Sequence, residues 1–125
     1  MKEIVSTGNA PEAIGPYSQA VRCGNLLFVS GQIPISPATG ELVEGGVEAQ
    51  ARMVMENLKA IVEAAGMGME DILKCSCFLK SMEDFLKFNA VYGSYFGKEP
   101  PARETIEVSR LPKGALVEVS AICGK

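Results

Sequence analysis

Two charged residues in the last quarter of the chain carry most of the chemistry this sequence offers. Arg103 stands in "EPPARETIEV", between a proline pair and a run that reads as a strand. Glu118 is embedded in "ALVEVSAI", where a carboxylate among apolar neighbours is costly unless a partner or a function holds it. The chain contains no histidine, so the commonest general acid/base side chain is missing and proton transfer falls to other groups. An antiparallel pairing about a turn near residue 112 brings Arg103 opposite a position between 118 and 121. The two then sit at one edge of a pocket, or form a buried structural ion pair.

Other candidates have simple structural alternatives. Tyr17 leaves a glycine-proline turn in "GPYSQAV" and could serve as an interface aromatic. In "FVSGQIP", Ser30 reads as a turn hydroxyl, and Gly31 either ends a strand or lets a ligand approach the backbone. Asn89, in "KFNAVYG", reads as a helix-surface amide. Cys23, Cys75, Cys77 and Cys123 include no C-x-x-C pair, so they read as core thiols rather than metal ligands.

The elements that must position these groups follow from periodicity. "YSQAVRCGNLLFVSG" is two strands about a Gly24-Asn25 turn, followed by a Pro/Gly-rich excursion over 31–46. Val47, Ala51, Val54, Leu58, Ile61 and Ala65 recur at helical steps, with Gly66 just beyond. "ILKCSCFLK" alternates, placing Leu73, Cys75, Cys77 and Leu79 on one face of a half-buried strand. A second helix opens at Ser81 with a capping-box pattern and runs to about Phe96. "RETIEV" and "ALVEVSAI" supply the last two strands, and "KEIV" offers an additional first one. The order is β-β-α-β-α-β-β: an α+β class with one mixed sheet and two helices on one face. "LLFVSG" and "LVEVSAI" carry apolar residues on both faces, which predicts that the second face is buried in a homo-oligomer.

The 125 residues form a single domain, 1–125, long enough to bury about two-thirds of the unfolded surface. The net charge of −3, with cations scattered along the chain, disfavours nucleic acid as a partner. No apolar run reaches membrane-spanning length and the first residues do not read as a signal peptide, so the protein reads as cytoplasmic, with no membrane partner.

The segments "NAPEAIGPYSQAV", "FVSGQIPISPATGELV", "NLKAIVEAAG", "FNAVY", "PPAR" and "LVEVSAI" together resemble the RidA (YjgF/YER057c/UK114) family of enamine/imine deaminases. The likeness runs from about residue 4 to residue 122. It implies a chorismate-mutase-like fold and a homotrimer with sites at the subunit interfaces. It also implies that Arg103 clamps the carboxylate of a small 2-imino or 2-enamino acid, since a guanidinium fork matches a carboxylate and lysine does not. Glu118 matches the acid that activates the attacking water, and Tyr17, Ser30, Gly31, Asn89 and Thr105 match pocket positions. The reaction implied is hydrolysis of 2-iminopropanoate and 2-iminobutanoate to keto acids and ammonia, with no metal or organic cofactor.

The chain departs from the family pattern at two places. Glu104 and Thr105 stand where a small residue and a cysteine are common, and Ser120 where a second acid is common. Backbone contacts at position 105 do not need sulfur, so a water-attack mechanism survives the change. A non-catalytic carboxylate-binding protein on the same scaffold is the alternative, and a ribonuclease is disfavoured by the acidic charge.

Overall fold

A computed structural model describes residues 1–125. Six strands and two α-helices follow one another along the chain: β1 (Lys2–Val5), β2 (Ala20–Cys23), β3 (Leu26–Gln32), α1 (Val47–Ala64), β4 (Ile72–Leu79), α2 (Phe85–Gly93), β5 (Ala102–Glu107) and β6 (Val117–Gly124). The strands form one mixed sheet in the order β1-β2-β3-β6-β4-β5, the α+β arrangement expected, with "KEIV" as an edge strand. Gly24 takes a positive φ in the β2–β3 turn and Asn25 does not, as in a turn that needs glycine only at its first central position.

The helices lie on one face because each carries an apolar stripe at helical spacing. Val54, Leu58 and Ile61 of α1 and Phe88 of α2 are fully buried against Leu27, Val117, Val119 and Leu79 of the sheet. Cys75, Cys77 and Cys123 belong to this core, whereas Cys23 is exposed. Burial pushes the Cys77 and Cys123 thiols up to about 12, so neither is a ready nucleophile.

Three local expectations are corrected. The register of β4 against β6 shifts between Ile72 and Lys74, so the extra residue, Leu73, turns outward and Ile72 takes its place in the core. The second helix opens with a 3-10 turn over Met82–Asp84 and its α-helical part ends at Gly93 rather than near Phe96. At its start, Ser81 accepts from the Glu83 backbone N–H instead of closing a capping box.

The fourth correction concerns the site. β5 does not pair with β6; it runs parallel to β4, and β6 is inserted between β3 and β4. A strand, a helix and a strand in sequence favour a parallel pair, because the helix covers the return across the sheet. Arg103 registers with Cys75, and Glu118 with Phe78. A whole strand separates the two charges, and they form no ion pair within the chain.

The face away from the helices is bare and largely apolar. Register aligns Ile4, Val21, Phe28 and Ile122 across four strands, and Ile4 and Phe28 are 59% and 44% exposed. A second row on this face runs Glu118, Phe78, Ile106, with Ile106 also exposed.

Candidate functional site

β5 is an edge strand, and alternation aims Arg103 and Thr105 toward the helix side. There α2 meets them. Asn89 and Tyr92 are three residues apart on this helix and therefore face the same strand. Arg103 Nη1 donates to Asn89 Oδ1 at 2.7 Å, and the guanidinium carbon lies 4.8 Å from the centre of the Tyr92 ring. Phe85 supplies a second ring at 5.6 Å. Stacking and one amide carbonyl fix the plane of the fork without neutralising it. Asn89 is thus a working partner of Arg103 and not a surface amide. The Thr105 hydroxyl is buried beside them and has no hydrogen-bond partner. Next to Arg103, Glu104 turns the other way, accepting from Ser76 and pairing with Lys74 (3.1 Å); these contacts lower its carboxyl from its ordinary value.

Glu118 belongs to a different place. Its neighbours Val117 and Val119 are fully buried on the helix side, so alternation sends Glu118 to the bare face. It shares an open cleft of about 770 Å³ with Tyr17 and Gly31. The walls are the N-terminal loop, the 33–40 excursion and the Pro112–Lys113 turn. Burial alone raises the Glu118 carboxyl above its ordinary value, and no cation of the same chain lies within ion-pair distance. Ser30 lies outside this lining; its hydroxyl donates to Ser18 O at 2.6 Å and so holds the segment that carries Tyr17.

Three buried amides that the sequence reading passed over fix the cleft walls. Gln19 donates to Pro11 O (2.7 Å) and accepts from Thr7 N–H, tying down the N-terminal loop. Asn57 of α1 donates to Ile35 O at 2.9 Å, securing the excursion. Gln50, also on α1, accepts from Leu116 N–H at 2.8 Å, two residues before Glu118. Their signal was available: Gln50 and Asn57 are seven residues apart and interrupt the apolar stripe of α1, where an amide must find a backbone partner.

The structure therefore brings the expected residues together in two sets, not one. Arg103, Asn89 and Thr105 cluster between β5 and α2; Tyr17, Gly31 and Glu118 line the cleft on the other face. The first set can hold an anion, and the second can hold a water and exchange its proton.

Comparison with known proteins agrees with this architecture. Residues 7–124 match the family model described as Endoribonuclease L-PSP. A RutC family protein of Pyrococcus horikoshii is 56% identical over 100% of this chain and 99% of its own length. The 2-iminobutanoate/2-iminopropanoate deaminase of Escherichia coli K12 is 49% identical, covering 98% of this chain and 97% of that protein. The crystal structure of E. coli TdcF with bound serine superposes with a TM-score of 0.94 at 44% identity, covering 98% of each chain. No helix here is long and apolar enough to cross a membrane. With these likenesses spanning nearly its whole length, the chain belongs to the YjgF/RidA family, the family of the Endoribonuclease L-PSP model.

Proposed function

We propose that this protein hydrolyses short 2-imino acids, the tautomers of 2-enamino acids such as 2-aminoacrylate, to 2-keto acids and ammonia. One observation carries the proposal: each charged group has what the other lacks. Arg103 is a stacked, oriented guanidinium with no acid of its own chain beside it, and Glu118 is a half-buried carboxylate with no cation. They lie on opposite faces of the sheet, so a complete site needs the helix-side edge of one subunit set against the bare face of another. A closed homotrimer with three such sites would also cover the apolar rows on that face. A relative of the same family named as an iminobutanoate/iminopropanoate deaminase, and another that binds serine, support a small amino-acid-like ligand.

In this scheme Arg103 grips the substrate carboxylate, with Asn89 and the Tyr92 ring holding the fork, and Thr105 and Tyr17 bound the pocket. Glu118 takes a proton from water as its oxygen attacks the imine carbon, and passes that proton to the nitrogen. Glu118 then takes the hydroxyl proton of the carbinolamine and delivers it to the amine nitrogen, so that the C=O forms, the C–N bond breaks and ammonia leaves. No atom in this sequence of steps requires a metal or an organic cofactor. A nuclease reading fits poorly, because the net charge of −3 provides no concentrated positive field for a phosphate backbone.

The direct test is a coupled assay in which a pyridoxal-phosphate-dependent threonine dehydratase generates the imine in situ. The protein should accelerate 2-oxobutanoate release well beyond the rate in buffer. Release at the buffer rate with a folded, assembled sample would refute the deaminase reading and leave carboxylate binding as the function.

A further inference from the structure

We infer that Gly31 is the seat of the Glu118 carboxylate: the side chain missing at position 31 is the space in which the acid is held. Gly31 is thereby a positioning residue for the proton-transfer group. The inference rests on the role proposed for Glu118 and deepens it.

Glycine is usually required where φ is positive, as at Gly15, Gly24, Gly40, Gly45, Gly66 and Gly114 of this chain. Gly31 is not among them, so its backbone is open to any L-residue. What position 31 lacks is room. A Cβ built there would overlap Glu118 Oε2 and lie 2.8 Å from Cδ and 3.2 Å from Cγ. The arrangement comes from an irregularity in the β3–β6 ladder. The register shifts between Val29, opposite Ala121, and Gln32, opposite Val119, and Gly31 falls within the shift. On the other flank, Phe78 of β4 is the register partner of Glu118. No ion pair within the chain fixes the carboxylate, so the bare α-carbon of Gly31 and the apolar neighbour set where it can rest.

The atoms in conflict are the far end of a flexible side chain, not backbone. A methyl group at position 31 therefore displaces the carboxylate and leaves the sheet intact. Displacing a reacting group by about 1 Å costs on the order of a hundredfold in rate, against a much smaller effect on ground-state binding elsewhere in the pocket.

The experiment is a double-mutant cycle with Gly31→Ala and Glu118→Gln, read in the coupled imine assay and by pyruvate binding. Gly31→Ala should assemble normally, bind pyruvate within about threefold of wild type, and lose about tenfold or more in kcat. In the Glu118→Gln background the same substitution should cost nothing further, because the group it displaces is already inert. Wild-type kcat in Gly31→Ala, or an equal loss in both backgrounds, overturns the inference; the second result would mean that Gly31 acts on the substrate through its own backbone. Should Gly31→Ala fail to fold, adding Glu118→Ala must restore folding, and failure to do so equally overturns it. The role of Glu118 is judged separately. Near-normal turnover in Glu118→Gln removes the base, and the seat then stands or falls on the Glu118 carboxyl carbon-13 resonance. Gly31→Ala moves that resonance if the seat is real and leaves it in place if not.

Discussion

On the helix side of the sheet, Arg103 is held by its own chain: an amide oxygen at 2.7 Å, one ring at 4.8 Å and a second at 5.6 Å. On the bare side, Glu118 has its position set by a gap at Gly31 and by burial, with no cation of its own chain beside it. The first group is finished before any ligand arrives. The second is placed but not compensated. Such a difference is expected when a site is divided between copies of one chain: each half must fold alone, while their charges meet only on assembly. A single chain containing the whole site would have no reason to leave both charges unmatched on opposite faces.

The comparison is broken most severely at Glu118. Glu118→Gln keeps shape and hydrogen bonding but removes the base, so turnover should fall by roughly a hundredfold or more while pyruvate binding persists. Near-normal hydrolysis in a well-assembled Glu118→Gln protein would contradict the division of labour. Arg103→Lys keeps the charge but loses both the fork and the fit against Tyr92, so pyruvate affinity and kcat/KM should each drop by about tenfold or more. Calorimetric titration with pyruvate separates this loss from that at Glu118, where affinity stays.

Asn89→Ala sharpens the helix side with a smaller effect. Asn89 orients the fork without touching the substrate and the Tyr92 stack remains, so losing this one hydrogen bond costs about 1 kcal/mol. KM should rise severalfold with kcat changed less, and Asn89→Asp should change the outcome by offering the guanidinium a competing anion.

The smallest expected effect is on stability against pH. Burial raises the Glu118 carboxyl, so the folded protein holds its proton to a higher pH than the unfolded chain does. The stability linked to this group is therefore fully present below the ordinary value of 4.5 and is lost as pH rises through the raised folded value. Thermal melts of wild type and Glu118→Gln should diverge in that sense, the variant gaining relative to wild type as pH rises. The opposite slope would mean that the cation met on assembly outweighs burial at the carboxylate.

Much of this was legible in the sequence. Alternation at Cys75, Cys77 and Leu79, and the three- and four-residue steps of α1, are local signals that survive in the fold. The Leu73 position was not legible, because a single-residue bulge reverses every face beyond it. The larger miss was the partner of β5. The short "SRLPKG" connection suggested a hairpin, yet β4, α2 and β5 form a parallel unit, and β6 fits between β3 and β4. Strand order is settled by non-local packing, which local spacing does not report. That error hid the Asn89–Tyr92 cradle: the i, i+3 pair on α2 reads as a site only once β5 is known to run beneath it. From the sequence Gly31 reads as a strand end or as a glycine that lets a ligand approach, and local spacing does not report that the group against it is Glu118.

The measurement that bears most directly on a divided site is complementation between two impaired variants. Arg103→Lys and Glu118→Gln proteins are unfolded together, refolded as a mixture and assayed for imine hydrolysis. If the site joins Arg103 of one subunit to Glu118 of its neighbour around a closed ring, random mixing in equal amounts restores about a quarter of the sites to wild-type composition. Activity should rise to at least about that fraction of wild type, above either parent. If both residues act within one chain, no mixed assembly contains an intact site, and the mixture would stay at the mean of its two parents.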